Sequence, residues 1–203
     1  MKIGPKYKIA RRLGDRVFPK CQTTKFTVSG TEKKTKSKKG RRGLSEYGSQ
    51  LLEKQKARFT YCVSEKQFSS YIKEARDQAD NPAVAAFISL EKRLDNIVFR
   101  LGLAPSRLAA RQMVSHGHIY VNGRRLNIPS HQVKIGDKIS VRPQSKTKGL
   151  YTEIEEKIAA NHLPTWLKLD EKNLVGELLA EPKTDELETN LNFVVILEFY
   201  SRS

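Results

Sequence analysis

The chain has 203 residues, 38% of them hydrophobic, and carries 38 Lys and Arg against 22 Asp and Glu, a formal net charge of +16. That is apolar residue enough for one full core or two small ones, but no apolar run, the candidate Phe193 to Leu197 included, approaches the roughly 20 residues that span a bilayer. The cysteines, Cys21 and Cys62, stand alone, which excludes a disulfide framework, fits a reducing compartment and leaves each reading as a buried or indifferent thiol.

Residues 1–42 hold 15 basic and 2 acidic groups, a net of +13, and read as an arm. Its start, "MKIGPKYKIARRLG", lacks the apolar stretch of a secretory signal, so none is expected. Ser29 to Gly43, "SGTEKKTKSKKGRRG", has almost nothing to bury and cannot offset its ordering entropy, so it is expected to be ordered only by the partner whose charge it neutralises. From Ser45 the pattern turns helical, with Leu51, Leu52, Gln55 and Phe59 along one side. A second helix opens at Ser64, where Ser64 and Gln67 have capping-box spacing, and carries the stripe Phe68, Tyr71, Ile72, Ala75, Ala79. Asn81-Pro82 opens a third, a cap residue followed by proline in the first turn. Phe87, Ile88, Leu94, Ile97, Val98 and Leu101 continue it, with or without a break, to Gly102. After the turn "GLAPS", Ser106 can cap a helix from Arg107 to about His116.

Strand signals follow. "HIYVNGRRLNI" sets Asn122-Gly123 between Ile119/Val121 and Leu126/Ile128, the strongest short hairpin signal. "QVKIGDKISV" repeats it, with Gly136-Asp137 between Val133/Ile135 and Ile139/Val141, and predicts a second hairpin. A helix is expected from about Tyr151 to Ala160, ended by Pro164. The tail "NFVVILEFY" reads as a buried strand, paired near Trp166–Leu169 and Leu174–Leu179. No repeat at solenoid spacing is present, and the fold class is α+β.

Charge is unevenly placed along this order. Residues 43–90 carry 6 basic and 6 acidic groups, residues 91–150 carry 12 and 3, a net of +9, and residues 151–203 carry 5 and 11, a net of −6. A solvated surface mixes both signs; two separate basic blocks point instead to a polyanion, of which nucleic acid is the usual one. A membrane surface fits less well, because no basic segment has a strongly apolar opposite face.

Within the second block, Arg107 and Arg111 are four apart on one helix face, Arg100 lies on the helix before, and Arg124 and Arg125 follow the hairpin turn. The arrangement gathers arginines on a compact module expected to be without acidic neighbours, and the planar fork of arginine binds phosphate with two hydrogen bonds. His116 and His118 are too few for a metal site, with no cysteine or carboxylate shell beside them. No serine or cysteine nucleophile motif accompanies them either, which leaves a packing or capping role at the helix end, or contact with nucleic acid. The chain lacks a phosphate-cradling glycine loop, and no cofactor, metal or small-molecule substrate is expected.

Arg93 to Arg142, "RLDNIVFRLGLAPSRLAARQMVSHGHIYVNGRRLNIPSHQVKIGDKISVR", resembles the RNA-binding module named after the fourth protein of the small ribosomal subunit. The flanks "GPKYKIARRLG", "RRGLSEYGSQLLEKQKARFTYCVSEKQF", "PTWLKLD" and "LEFYSR" resemble the bacterial or organellar form of that ribosomal protein family, over nearly the whole chain. The resemblance implies a basic arm at 1–42, a mostly helical domain from 43–90 with 151–203, and the module inserted at 91–150. It implies binding to small-subunit ribosomal RNA early in assembly, with Arg93, Arg100, Arg107, Arg111, Gln112, Ser115, His116, His118, Asn122 and Arg124 as candidate contacts. It further implies that Lys38, Lys39, Arg41 and Arg42 lie near the entry of messenger RNA, that neighbouring small-subunit proteins are touched, and a place in the ribosome of a bacterial cytoplasm or an organelle. Repression of its own message is a trait of some members only. Some members bind zinc through four cysteines in the arm; here only Cys21 remains, so RNA or protein contacts must order this one.

Two rivals are weaker. Pseudouridine synthases carry a similar module and a catalytic aspartate in "RLD", but Asp95 falls within an amphipathic helix, where it reads as pairing with a nearby arginine, and too little chain follows for a catalytic domain. A DNA-binding regulator would need a dimerisation element, and none is visible.

Overall fold

The computed structural model describes residues 3–23, 26, 45–146, 163–170, 173–183 and 191–202. The segment Ser29 to Gly43 with Lys38, Lys39, Arg41 and Arg42, and the helix expected over 151–160, lie outside the described residues. The chain divides into two units, residues 1–83 with 190–203, and residues 84–189.

The first unit is helical. Helix α1 (Lys6–Leu13) ends at Gly14, and with a 3-10 turn at Pro19–Cys21 it encloses a small cluster of Ala10, Phe18, Cys21 and Phe26. Helix α2 (Glu46–Thr60) begins where Ser45 Oγ accepts from Gly48 N at 3.2 Å, and α3 (Glu65–Gln78) where Ser64 Oγ accepts from Gln67 N at 3.4 Å, the capping its sequence predicts. The buried stripe of α2 is not the expected Leu51, Leu52, Gln55 and Phe59, which are half-buried, but Gln50, Lys54 and Ala57. Cys21 and Cys62 are both buried.

The tail corrects a second expectation. Asn192 to Tyr200 is no strand: Phe193–Ser201 is a helix, here α8. Asn192 Oδ1 caps it by accepting from Val194 N and Val195 N at 3.1 and 3.2 Å. Phe193, Ile196 and Phe199 are buried three apart, a helical spacing hidden in a run that is apolar throughout. β-branched residues favour a strand locally, but docking on α2 and α3 decides the outcome. That docking explains the polar stripe on α2. Gln50 Nε2 donates to Glu198 at 3.1 Å; Lys54 Nζ donates to Glu65 at 2.8 Å and stands 4.8 Å from the centre of the Phe199 ring.

The second unit is α+β. Helix α4 (Pro82–Glu91) breaks at Lys92–Arg93 before α5 (Leu94–Arg100), which packs on α6 (Arg107–Ser115). Ser106 Oγ caps α6 by accepting from Ala109 N at 3.2 Å. Strands β1 (Ile119–Val121), β2 (Arg124–Arg125), β3 (Lys138–Val141), β4 (Leu167–Asp170) and β5 (Val175–Leu178) form one antiparallel sheet in the order β2-β1-β3-β5-β4, with a short α7 (Pro143–Lys146) after β3. Leu94, Ile97, Val98, Leu101, Met113, Ile119, Ile139 and Trp166 share its core.

The first predicted hairpin is present, with Val121 opposite Arg124 and φ of 50° and 77° at Asn122 and Gly123, as a type I′ turn requires. The second is not. Val133 to Ile135 does not pair with β3; Val133 N donates to Lys92 O at 2.9 Å, and β3 lies between β1 and β5 instead. Among the described residues, the chain around 167–178, expected with the helical domain, therefore extends the sheet of β1 and β3, while α8 packs on α2 and α3. A non-local partner captured β3 where the local turn suggested a hairpin.

Candidate nucleic-acid interface

The helix break at Arg93 sets up the site. Arg93 is extended (φ −64°, ψ 137°), wholly buried, and its guanidinium forks onto Asp95 in the first turn of α5, with Nε to Oδ1 at 3.0 Å and Nη2 to Oδ2 at 2.7 Å. Arg111 on α6 donates from Nη1 to Asp95 Oδ2 at 3.4 Å. Next to this, Glu91 at the end of α4 has 0% exposure and accepts the Nε and Nη2 of Arg100 at 3.0 and 2.8 Å. Asn96 Nδ2 donates to Glu91 Oε2 at 2.6 Å, and Asn96 Oδ1 accepts from Arg107 Nε at 2.7 Å. The Arg107 guanidinium also covers the Phe99 ring, 4.5 Å from its centre.

The expectation of arginines without acidic neighbours is therefore wrong. Three guanidiniums, those of Arg93, Arg100 and Arg111, pair with two buried carboxylates, and Arg107 is held by Asn96 beside them. Asp95 pairs with arginine as its sequence context predicts. Arg93 has no surface to offer a ligand, whereas the side chains of Arg100 and Arg111 keep 18% and 25% exposure. Holding arginine by an inward edge removes rotamer entropy before any anion arrives.

Around these, Gln112, Ser115 and His116 are exposed on α6 and its end. His116 is the capping residue that ends α6, and Gly117 continues the turn with φ +71°. A Cβ at Gly117 would overlap the Arg125 guanidinium, whose Nη2 donates to His116 O at 3.3 Å, so the hairpin is tied to the helix end. Arg124 is exposed, and neighbours on a strand point to opposite faces, so the two hairpin arginines do not act as a pair. His118 is half-buried, its Nδ1 lying 2.9 Å from Ser145 Oγ, a structural position. Asn122 is exposed but engaged at both ends of its amide: Nδ2 donates to Asp137 at 2.7 Å and Oδ1 accepts from Lys138 N at 2.9 Å.

Sequence reasoning overlooked Glu91 and Asn96. Their signal was faint: a carboxylate next to Leu90 on the apolar stripe of α4, and an amide five residues on, between Leu94 and Ile97. Among the described residues no group of three or more His, Cys, Asp or Glu is arranged to hold a metal, and no helix is long and apolar enough to cross a membrane.

Residues 1–91 match the ribosomal protein S4/S9 N-terminal domain, and residues 92–139 match the S4 domain. The chain is 42% identical over 201 residues to the small ribosomal subunit protein uS4 of Roseiflexus sp. (strain RS-1), and 43% identical over 202 residues to that of Roseiflexus castenholzii, with 98% of both chains covered in each case. To the small ribosomal subunit protein uS4 of Lactiplantibacillus plantarum it is 41% identical over 209 residues, covering 98% of this chain and 97% of the relative.

Proposed function

The chain belongs to the ribosomal protein S4 family, and from that premise we propose that it is a non-enzymatic constituent of the small ribosomal subunit that binds 16S-type ribosomal RNA directly and early in assembly. The observation that carries this is the set of guanidiniums of Arg100, Arg107 and Arg111, each anchored from beneath and partly exposed. Double-stranded RNA hides its bases in a deep groove and is recognised through phosphates, 2′-hydroxyls and shape. Anchored guanidiniums suit that target, since they present fixed forks to phosphate. Gln112, Ser115, His116 and Arg124 complete the proposed contact surface, while Arg93, His118 and Asn122 brace it through their own hydrogen bonds.

The arm, with Lys38, Lys39, Arg41 and Arg42, adds charge for counterion release and is assigned to the messenger RNA entry region. Neighbouring small-subunit proteins are further partners in this reading, and its place is the ribosome of a bacterial cytoplasm, as the bacterial relatives support.

The test is binding of the full chain to the 5′ domain of small-subunit ribosomal RNA over a salt series, with duplex DNA and unrelated RNA as competitors. The double change Arg107→Ala/Arg111→Ala should weaken binding by more than about 2 kcal/mol, since charged hydrogen bonds contribute roughly 1.5–3 kcal/mol each. Equal affinity for every polyanion, unaltered by the double change, overturns the assignment.

A further inference from the structure

A surface that binds a polyanion has a carboxylate beneath it, and the geometry around Glu91 states what that carboxylate does. Glu91 has 0% exposure and cannot touch RNA. Three donors converge on it: Arg100 Nε and Asn96 Nδ2 on Oε2, Arg100 Nη2 on Oε1. Because an ionised carboxylate only accepts, Asn96 must turn its NH2 toward Glu91, which aims its carbonyl oxygen at Arg107 Nε. One buried charge thereby orients two arginines on two different helices, Arg100 by direct contact and Arg107 by relay.

We infer that Glu91 is a positioning residue for RNA binding, setting Arg100 directly and Arg107 through Asn96. The inference rests on the ribosomal RNA-binding reading above. It opposes simple charge arithmetic, in which a buried negative group under the binding face can only repel phosphate and its removal can only help.

The substitution Glu91→Gln separates the two. Glutamine has nearly the same shape but a single acceptor oxygen, so its NH2 must face either Arg100 Nη2 or the pair Arg100 Nε and Asn96 Nδ2, donor against donor. The variant is one unit more positive, yet its affinity for the 5′ domain of small-subunit ribosomal RNA should fall about tenfold, which is about 1.4 kcal/mol. Two readouts exclude a merely structural loss. In an Arg100→Gln/Arg107→Gln background, Glu91→Gln should change affinity by less than about twofold, because its agents are already gone. In the free, folded chain, the Nε–Hε signals of Arg100 and Arg107 should be sharp and slow to exchange in nuclear magnetic resonance spectra, and broaden in Glu91→Gln. Should that variant not fold, as read by its tryptophan fluorescence, Asn96→Ala takes its place: it cuts the relay alone, so Arg107 should broaden, Arg100 should not, and affinity should fall.

Unchanged or tighter binding by the folded variant overturns the inference, as does an equal loss in both backgrounds. A wild-type chain that does not prefer the ribosomal fragment over unrelated RNA would instead overturn the functional reading, while the arginine signals would still report on the positioning.

Discussion

Removing the carboxylate of Asp95 should be far more damaging than its single charge implies. Arg93 has 0% side-chain exposure and Asp95 4%, and their two hydrogen bonds are 3.0 and 2.7 Å long. Asp95→Ala leaves a buried guanidinium without its carboxylate, a change that costs about 3–5 kcal/mol when one partner of a buried pair is lost. That is a large part of the 5–15 kcal/mol by which roughly any domain is stable. The sole tryptophan, Trp166, lies in the same apolar core as Leu94 and Ile97, so its fluorescence reports on this unit alone. With a urea slope of about 2 kcal/mol/M, the midpoint should fall by about 2 M. Replacing the pair together, as Arg93→Met/Asp95→Leu, should return stability to within about 2 kcal/mol of wild type, because apolar substitutes need no desolvation. A loss of less than about 1 kcal/mol in Asp95→Ala would refute the reasoning, since the guanidinium must then find water.

The close packing of β5 gives a second outcome: a Cβ on Gly176 would overlap the Leu101 side chain, so Gly176→Ala should cost about 1–3 kcal/mol by the same fluorescence assay. The α8 latch should be sensitive to pH at both ends. Burial raises Glu65, but hydrogen bonds from Lys54 and Tyr200 and the charges of Lys54 and Arg58 outweigh it and hold the carboxyl below its ordinary 4.5. Burial, then the hydrogen bond to Glu65 and its charge, push Tyr200 above its ordinary 10.0. Stability from Glu65 is thus present above its unfolded value and lost as pH falls through the lowered folded one. Stability from Tyr200 is present below its unfolded value and lost as pH rises toward the raised one. Helical circular dichroism during denaturation at about pH 4, 7 and 10.5 measures both, around the ordinary Glu and Tyr values. Tyr200→Phe should abolish the alkaline loss, and a profile identical to wild type would refute the latch.

What could be read from sequence was local. Ser64 and Ser106 cap their helices because a cap is decided within four residues, and Asn122-Gly123 turns because few other residues accept positive φ twice in succession. What could not be read was non-local. Val194, Val195 and Ile196 favour a strand until α2 and α3 supply a groove for Phe193, Ile196 and Phe199. Ile139 faces Gly176 across strands 37 positions apart, a pairing that no turn announces. The arginines were found as a group, but which of them are outward was decided by acids whose burial a charge count does not see.

Those acids explain how a module can contain carboxylates and still present a basic face. Residues 91–150 have 3 acidic groups, Glu91, Asp95 and Asp137. Glu91 and Asp95 lie under guanidiniums, and Asp137 accepts from Lys134 N at 2.8 Å and Asn122 Nδ2 at 2.7 Å, bracing the hairpin against β3. All three are committed to backbone or side-chain donors. Lys134, Lys138, Arg124 and Arg125 meanwhile stand exposed. Over the arginines an approaching phosphate therefore meets cations at contact distance, with Glu91 and Asp95 a layer below, already paired with the guanidiniums they hold in place. Coulomb attraction falls with distance, so depth separates the two signs as composition does not, and the buried negative charge makes the outer positive charge more rigid than it makes it weak.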